Sequence, residues 1–179
     1  MMNNIIGLDI GGTFIKAGVI DSDANILQKY SINTNAEDGY ETVLKSVVKL
    51  IKEINAKYEV DAIGIGVPGV VTDTGIVVDA PNFKNWVNIP ILSDVKKNFN
   101  IPVFIDNDAN TAAIAELEKG AGKNYNSFLY VTLGTGIGGA IIHNGQLFKG
   151  MNGGAGEIGH TLINAFANSI NYEKSYRSG

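Results

Sequence analysis

Within the run Ile101-Pro102-Val103-Phe104-Ile105-Asp106-Asn107-Asp108-Ala109-Asn110-Thr111, four of the five positions from Asp106 to Asn110 are Asp or Asn. A helix cap uses one such residue, so the excess points to work on a ligand. The apolar residues Val103 to Ile105 predict a buried strand, and Ala112, Ala113, Ile114, Ala115 and Leu117 continue as a helix. The polar run then falls on a strand-to-helix turn, where open α/β sheets bind ligands. A carboxylate placed there lies near backbone N–H groups and the positive helix end. That setting favours its ionised form and suits it to accept a proton.

Glycine supplies the other chemistry. In Asp9-Ile10-Gly11-Gly12-Thr13 a carboxylate ends a strand beside a loop fit for phosphate, the arrangement that holds Mg²⁺ with its water shell. Gly134-Thr135-Gly136-Ile137-Gly138-Gly139 matches G-x-G-x-x-G, but the following Ala140-Ile141-Ile142-His143-Asn144-Gly145 reads as strand and hairpin turn, not as the helix a dinucleotide fold requires. What remains is a glycine hairpin whose N–H groups can cradle phosphate oxygens, with the Thr135 hydroxyl beside them. A plain turn needs one or two glycines, and this run uses four. A third cluster, Gly153-Gly154-Ala155-Gly156-Glu157-Ile158-Gly159-His160, offers Glu157 and His160 as hydrogen-bonding partners for ligand hydroxyls; its glycines argue against a helix there. His143, next to a hairpin turn, reads as structural. Pro81-Asn82-Phe83-Lys84-Asn85-Trp86 reads either as a surface loop anchored by Trp86 or as the donor of a polar side chain to a sugar.

These groups need a scaffold. Residues 4–9, 14–20 and 26–32 predict three sequential strands, an antiparallel meander. Over residues 39–56 the period becomes helical, with Val43, Leu44, Val47, Val48, Leu50, Ile51 and Ile54 on one face. Residues 60–67 predict a strand ending at Pro68-Gly69, and 70–87 an irregular stretch with a short pair around Gly75. Residues 91–99 predict a short helix begun by Pro90, and residues 109–119 a helix ended by Gly120-Ala121-Gly122. The order βββαβαβα predicts a mixed sheet with helices on both faces. Residues 127–133 and 140–143 then predict a strand, glycine turn and strand like those of 5–15, which suggests two related lobes with loops facing one cleft. We place the first lobe at 1–122 and an incomplete second lobe at 123–179; residues 162–179 carry no pattern.

Composition narrows the class. With 179 residues, 45% hydrophobic and 18% charged, the chain is that of a soluble globular protein, and its net charge of −4 gives no support for a nucleic-acid surface. No apolar run approaches a membrane span and no secretory leader opens the chain, so a cytoplasmic protein is expected. Without cysteine there is no disulfide and no thiolate for zinc.

Taken together, these motifs resemble the ROK family, bacterial sugar kinases, glucokinases among them, and sugar-responsive repressors on the actin/hexokinase-like (ribonuclease H-like) α/β fold. Asp9 to Thr13 resembles its first phosphate motif, Gly64-Ile65-Gly66-Val67-Pro68-Gly69 its sugar-side loop, Leu133 to Gly139 its second phosphate motif, Asn107-Asp108-Ala109-Asn110 its catalytic segment and Glu157-Ile158-Gly159-His160 its sugar-binding segment. The resemblance implies that Asp108 is the general base for phosphorylation of a hexose, glucose or an N-acetylhexosamine, by ATP. It implies sugar contacts from Gly69, Asn82, Asn107, Asp108, Glu157 and His160, phosphate contacts from Gly11, Gly12, Thr13, Gly134, Thr135 and Gly136, and service to Mg²⁺ by Asp9 through water. It further implies a homodimer with a small-molecule sugar and a nucleotide as partners; the expectation of neither nucleic acid nor membrane comes from the charge and hydropathy above. Where family members follow the histidine with a cysteine-rich zinc segment and a further sugar-binding glutamate, this chain has Thr161-Leu162-Ile163-Asn164-Ala165-Phe166, so structural zinc is not expected. The competing readings are a sugar-sensing regulator, against which the early start of the sheet argues, and a sugar-binding remnant without turnover.

Overall fold

A computed structural model describes residues 4–80, 83–134 and 136–161. The chain separates into two compact units, Met1–Asp108 and Ala109–Gly179. The helix that the sequence assigns to the first lobe, over residues 109–119, therefore belongs to the second unit.

The first unit is built on a five-stranded sheet in the order β3-β2-β1-β4-β7. β1 (Asn4–Ile10), β2 (Phe14–Asp21) and β3 (Ile26–Asn33) form the predicted antiparallel meander, and β4 (Ala62–Val67) and β7 (Val103–Asn107) lie parallel to β1. Parallel neighbours need a crossover, and α1 (Tyr40–Asn55) and α2 (Ile91–Lys96) lie in those connections. α1 buries Val43, Val47, Leu50, Ile51 and Ile54, the residues its 3.6-residue period selects. They join Ile6, Leu8, Ile10, Ile15, Val19, Ile63 and Ile65 of the sheet in one core. α2 is shorter than predicted: after Lys96 the chain stays coiled through Phe99 in bonds three residues apart, Asn98 N–H to Val95 O and Phe99 N–H to Lys96 O.

Between β4 and α2 the irregular stretch resolves into two small hairpins. One turns at Gly75, with Val71 bridged to Val77. The other pairs β5 (Val77–Asp79) with β6 (Val87–Ile89).

The second unit comprises α3, whose helical span is Asp108–Lys119, and a three-stranded sheet, β10-β9-β8, of β8 (Phe128–Leu133), β9 (Ile137–His143) and β10 (Gln146–Leu147). Ala113, Ala140 and Ile142 form its small core, with Leu117, Phe128, Tyr130 and Leu147 packed around it. A single 3₁₀ turn, Ile158–His160, closes the described part. Ile137, Gly138 and Gly139 belong to β9, paired with Leu133, Thr132 and Val131, so the expected six-residue glycine turn is reduced to residues 134–136.

Candidate active site

β1, β4 and β7 run in the same direction, and the site residues of the first unit lie at their C-terminal ends. The register sets Asp9 beside Gly66, and Gly66 beside Asp106, so three strands deliver one row. Above it come the Gly11-Gly12-Thr13 turn, Pro68-Gly69, and the step from β7 into α3. That step contains no turn residues. Asp106 and Asn107 are the last residues of β7 and Asp108 is the first of α3, which corrects the expected polar loop. Alternation fixes the outcome: Asn107 and Ala109 are buried while Asp108 between them is exposed.

Asn107 is 8% exposed. Its Nδ2 donates to the carbonyl oxygen of Gly69 at 3.0 Å, and its N–H donates to Asp106 Oδ1 at 2.8 Å. Gly69 has φ +88°, and a Cβ there would collide with the Asp79 carbonyl and lie 3.2 Å from Ala80 Cα. The end of β4 is thus pressed against the β5–β6 hairpin on one side and bonded to β7 on the other. Asn82 lies outside the described residues.

The first glycine loop is a hairpin turn with part of its donor set already used. Gly11 N–H donates to Phe14 O at 3.0 Å, leaving the exposed Gly12 and Thr13 to face solvent. Sequence reading missed the group that shapes this turn. Thr34 is fully buried; its hydroxyl donates to Gly11 O at 2.6 Å and its N–H to Thr13 O at 2.9 Å. A single threonine between a strand and a helix carries no local signal. Asp9 is exposed at the loop's root, opposite Lys16 in the β1–β2 register. Among the described residues no cluster of three His, Cys, Asp or Glu side chains could hold a metal ion. One carboxylate beside a glycine turn with exposed residues is the kind of donor set Mg²⁺ accepts, since that ion is commonly held by one or two carboxylates, substrate phosphates and water.

In the second unit, Gly134 N–H donates to Gly136 O at 2.9 Å, closing the β8–β9 turn; Gly134 and Gly136 are exposed with open space where a Cβ would be. Thr135 lies outside the described residues. The remaining glycines of the run are present for packing. A Cβ on Gly138 would lie 2.8 Å from Thr132 Cγ2, and one on Gly139 would lie 2.6 Å from the Gly156 carbonyl. Gly156 has φ +97° and would meet Ala140 Cα at 2.9 Å. This seam sets the 3₁₀ turn against β9. Contrary to the expectation from its glycines, the 157–160 segment is coiled, and a 3₁₀ turn brings residues three apart to one side. His160 Nε2 stands 3.9 Å from Glu157 Oε2, with the histidine side chain 85% exposed.

Residues 5–173 match the ROK family. The chain belongs to the ROK family. Its resemblance to the actin/hexokinase-like fold is thereby a property of the molecule, and the mixed sheet with its second hairpin unit is that fold. The glucokinase of Thermotoga maritima is 37% identical over 160 residues, covering 89% of this chain and 50% of the relative. A xylose repressor of Caldicellulosiruptor bescii is 36% identical over 169 residues, covering 91% of this chain and 42% of the relative. The crystal structure of a ROK family glucokinase from Streptomyces griseus in complex with glucose and AMPPNP superposes with a TM-score of 0.83 at 36% identity, covering 90% of this chain and 51% of that one. The chain spans about half the length of the curated relatives it matches. No helix among the described residues is long and apolar enough to cross a membrane.

Proposed function

We propose that this chain carries the sugar side and the phosphate loops of an ATP-dependent hexose kinase, with glucose or an N-acetylhexosamine as acceptor. The observation that carries the reading is Asp108: an exposed carboxylate at the first position of α3, one residue beyond an asparagine bonded to Gly69. In the reaction, the Asp108 carboxylate takes the proton of a sugar hydroxyl while that oxygen bonds to the γ-phosphorus of ATP. The bond from the γ-phosphorus to the bridging oxygen breaks, and ADP and the sugar phosphate leave. Such transfer asks for positioning and charge stabilisation more than for covalent chemistry by the protein.

Asn107, Gly69, Asn82, Glu157 and His160 would orient the sugar. Gly12 and Thr13 would take phosphate oxygens through their N–H groups, with Gly11 shaping their turn. Gly134, Thr135 and Gly136 would form the second phosphate loop. Asp9 would hold Mg²⁺ through water, and the ion supplies neutralisation of phosphate charge when bound. Support comes from the glucokinases among the relatives, one of them solved with glucose and an ATP analogue.

The test is sugar-dependent ADP release with Mg-ATP across a panel of hexoses. Asp108→Asn is expected to lower turnover by about 10²- to 10⁴-fold while sugar still raises the melting temperature. Equal turnover in the variant would remove Asp108 from the chemistry. A second reading, a sugar-responsive regulator, draws on the xylose repressor. Sugar binding without turnover in a longer chain that also binds operator DNA would favour it. Cytoplasmic location and a homodimer belong to the same proposal.

A further inference from the structure

Trp86, in the β5–β6 connection, is 1% exposed, and its Nε1 has no hydrogen-bond partner among the described residues. An orphaned indole N–H in a packed core costs stability and calls for a reason. Its ring meets Tyr40, at the start of α1, edge to face with centroids 5.4 Å apart, and stacks with Phe83 at 4.2 Å. The Tyr40 hydroxyl donates to Asp94 Oδ2 at 2.8 Å, and Lys97 Nζ donates to Asp94 Oδ1 at 2.7 Å. One row of side chains therefore runs from the connection to α1 and α2.

The same connection lies against Gly69. Ala80 N–H donates to Trp86 O at 3.2 Å, and Phe83 N–H to Ala80 O at 2.9 Å, closing the connection on itself. Ala80 and Asp79 press on Gly69, whose carbonyl accepts from Asn107. β5 and β6 are three residues each, and an isolated two-stranded pair is marginal at best in water. Side-chain packing must hold the connection in place, and the Trp86 row supplies it.

We propose that Tyr40, Asp94 and Trp86 are positioning residues for the hexose: through the Tyr40–Asp94 bond they fix the part of the connection that backs Gly69, and hexose binding is registered at Trp86. The proposal rests on the hexose reading above. It adds an optical reporter, because Trp86 is the sole tryptophan of the chain.

The experiment titrates glucose, N-acetylglucosamine and N-acetylmannosamine into the full chain, following both Trp86 emission and melting temperature. The expected result is a saturable emission change at one sugar, with Kd raised about 10-fold in Tyr40→Phe, the loss of one hydrogen bond to a charged group. Asp94→Ala should match it, Asp94→Asn, which keeps an acceptor oxygen, should fall between, and the double variant Tyr40→Phe/Asp94→Ala should be no worse than either single one. Tyr125→Phe, the same deletion at an exposed position of the second unit, should bind as wild type. A lower melting temperature with unchanged Kd in Tyr40→Phe and in both Asp94 variants would reduce the row to a structural role and overturn the proposal. Sugar stabilisation of the wild type with no change in emission would also overturn it, leaving the hexose reading intact. No response of either kind to any hexose would sink both.

Discussion

Asn107 Nδ2 lies 3.0 Å from the carbonyl oxygen of Gly69, across 38 residues of sequence. The bond joins the two strand ends that bracket the proposed sugar position. Asn107→Asp replaces that donor with an acceptor facing an acceptor. The expected destabilisation is about 1–3 kcal/mol, read from urea unfolding, with hexose affinity falling as well. An unchanged unfolding midpoint would show that the bond contributes nothing.

Gly69→Ala is expected to be worse tolerated than its size suggests. The positive φ costs about 1 kcal/mol or more for a residue with a Cβ, and that Cβ has no room beside Asp79 and Ala80. Thermal melting should drop by several degrees, with proteolysis first in the β5–β6 connection.

Thr34→Val keeps the shape of a fully buried side chain but removes the hydroxyl held by Gly11 O. A loss of about 1 kcal/mol in stability is expected. Nucleotide affinity should weaken while hexose affinity, measured separately, stays as in wild type.

Gly134 and Gly139 make a matched pair. Alanine meets nothing within 4 Å at Gly134 but would lie 2.6 Å from the Gly156 carbonyl at Gly139. Gly134→Ala should leave the melting curve unchanged. Gly139→Ala should raise amide hydrogen exchange in residues 137–143 and around 156–160, and equal curves for the two would contradict the packing seam.

Stability should also fall at both ends of the pH scale through the two partners of the Tyr40–Asp94 pair. The Lys97 ammonium, and less so the Tyr40 hydroxyl, hold the Asp94 carboxyl below the usual range against partial burial. A lowered carboxylate pKa gives stability that is present above about pH 4 and lost as pH falls through the folded value. Burial first, then the neighbouring Asp94, pushes the Tyr40 phenol well above its ordinary value. A raised phenol pKa gives stability that is present below about pH 10 and lost as pH rises beyond it. Unfolding free energies against pH should show both limbs, the acid one flattened in Asp94→Asn and the alkaline one in Tyr40→Phe.

What sequence could tell depended on how local the cause was. α1 was legible because seven apolar residues at helical spacing have one way to be buried together. The β1–β4 run was legible because alternation and turn residues agree. Asp106 and Asn107 were misplaced into a loop because polar residues disfavour strands, yet Gly66 and Val67 of β4 draw them into register. Gly138 and Gly139 were misplaced for the same reason, being held in β9 by Thr132 and Val131. Thr34 and the Tyr40–Asp94 pair escaped notice because their partners stand 23 and 54 residues away. The motifs were read from residue type and order; the bonds around Gly11, Gly69 and Asn107 could not be.

The seam between Gly139 and Gly156 has a bearing on how glycine patterns are used to find nucleotide enzymes. Of the glycines in the 134–139 run, those at 138 and 139 are excluded from bearing a side chain by Thr132 and by the backbone of residue 156. They would be retained in a descendant that had lost every affinity for phosphate, so long as it kept the fold. A search that scores the whole run as one signature therefore counts crowding as recognition. Only the tip, where a Cβ would find open space, can report selection by a ligand.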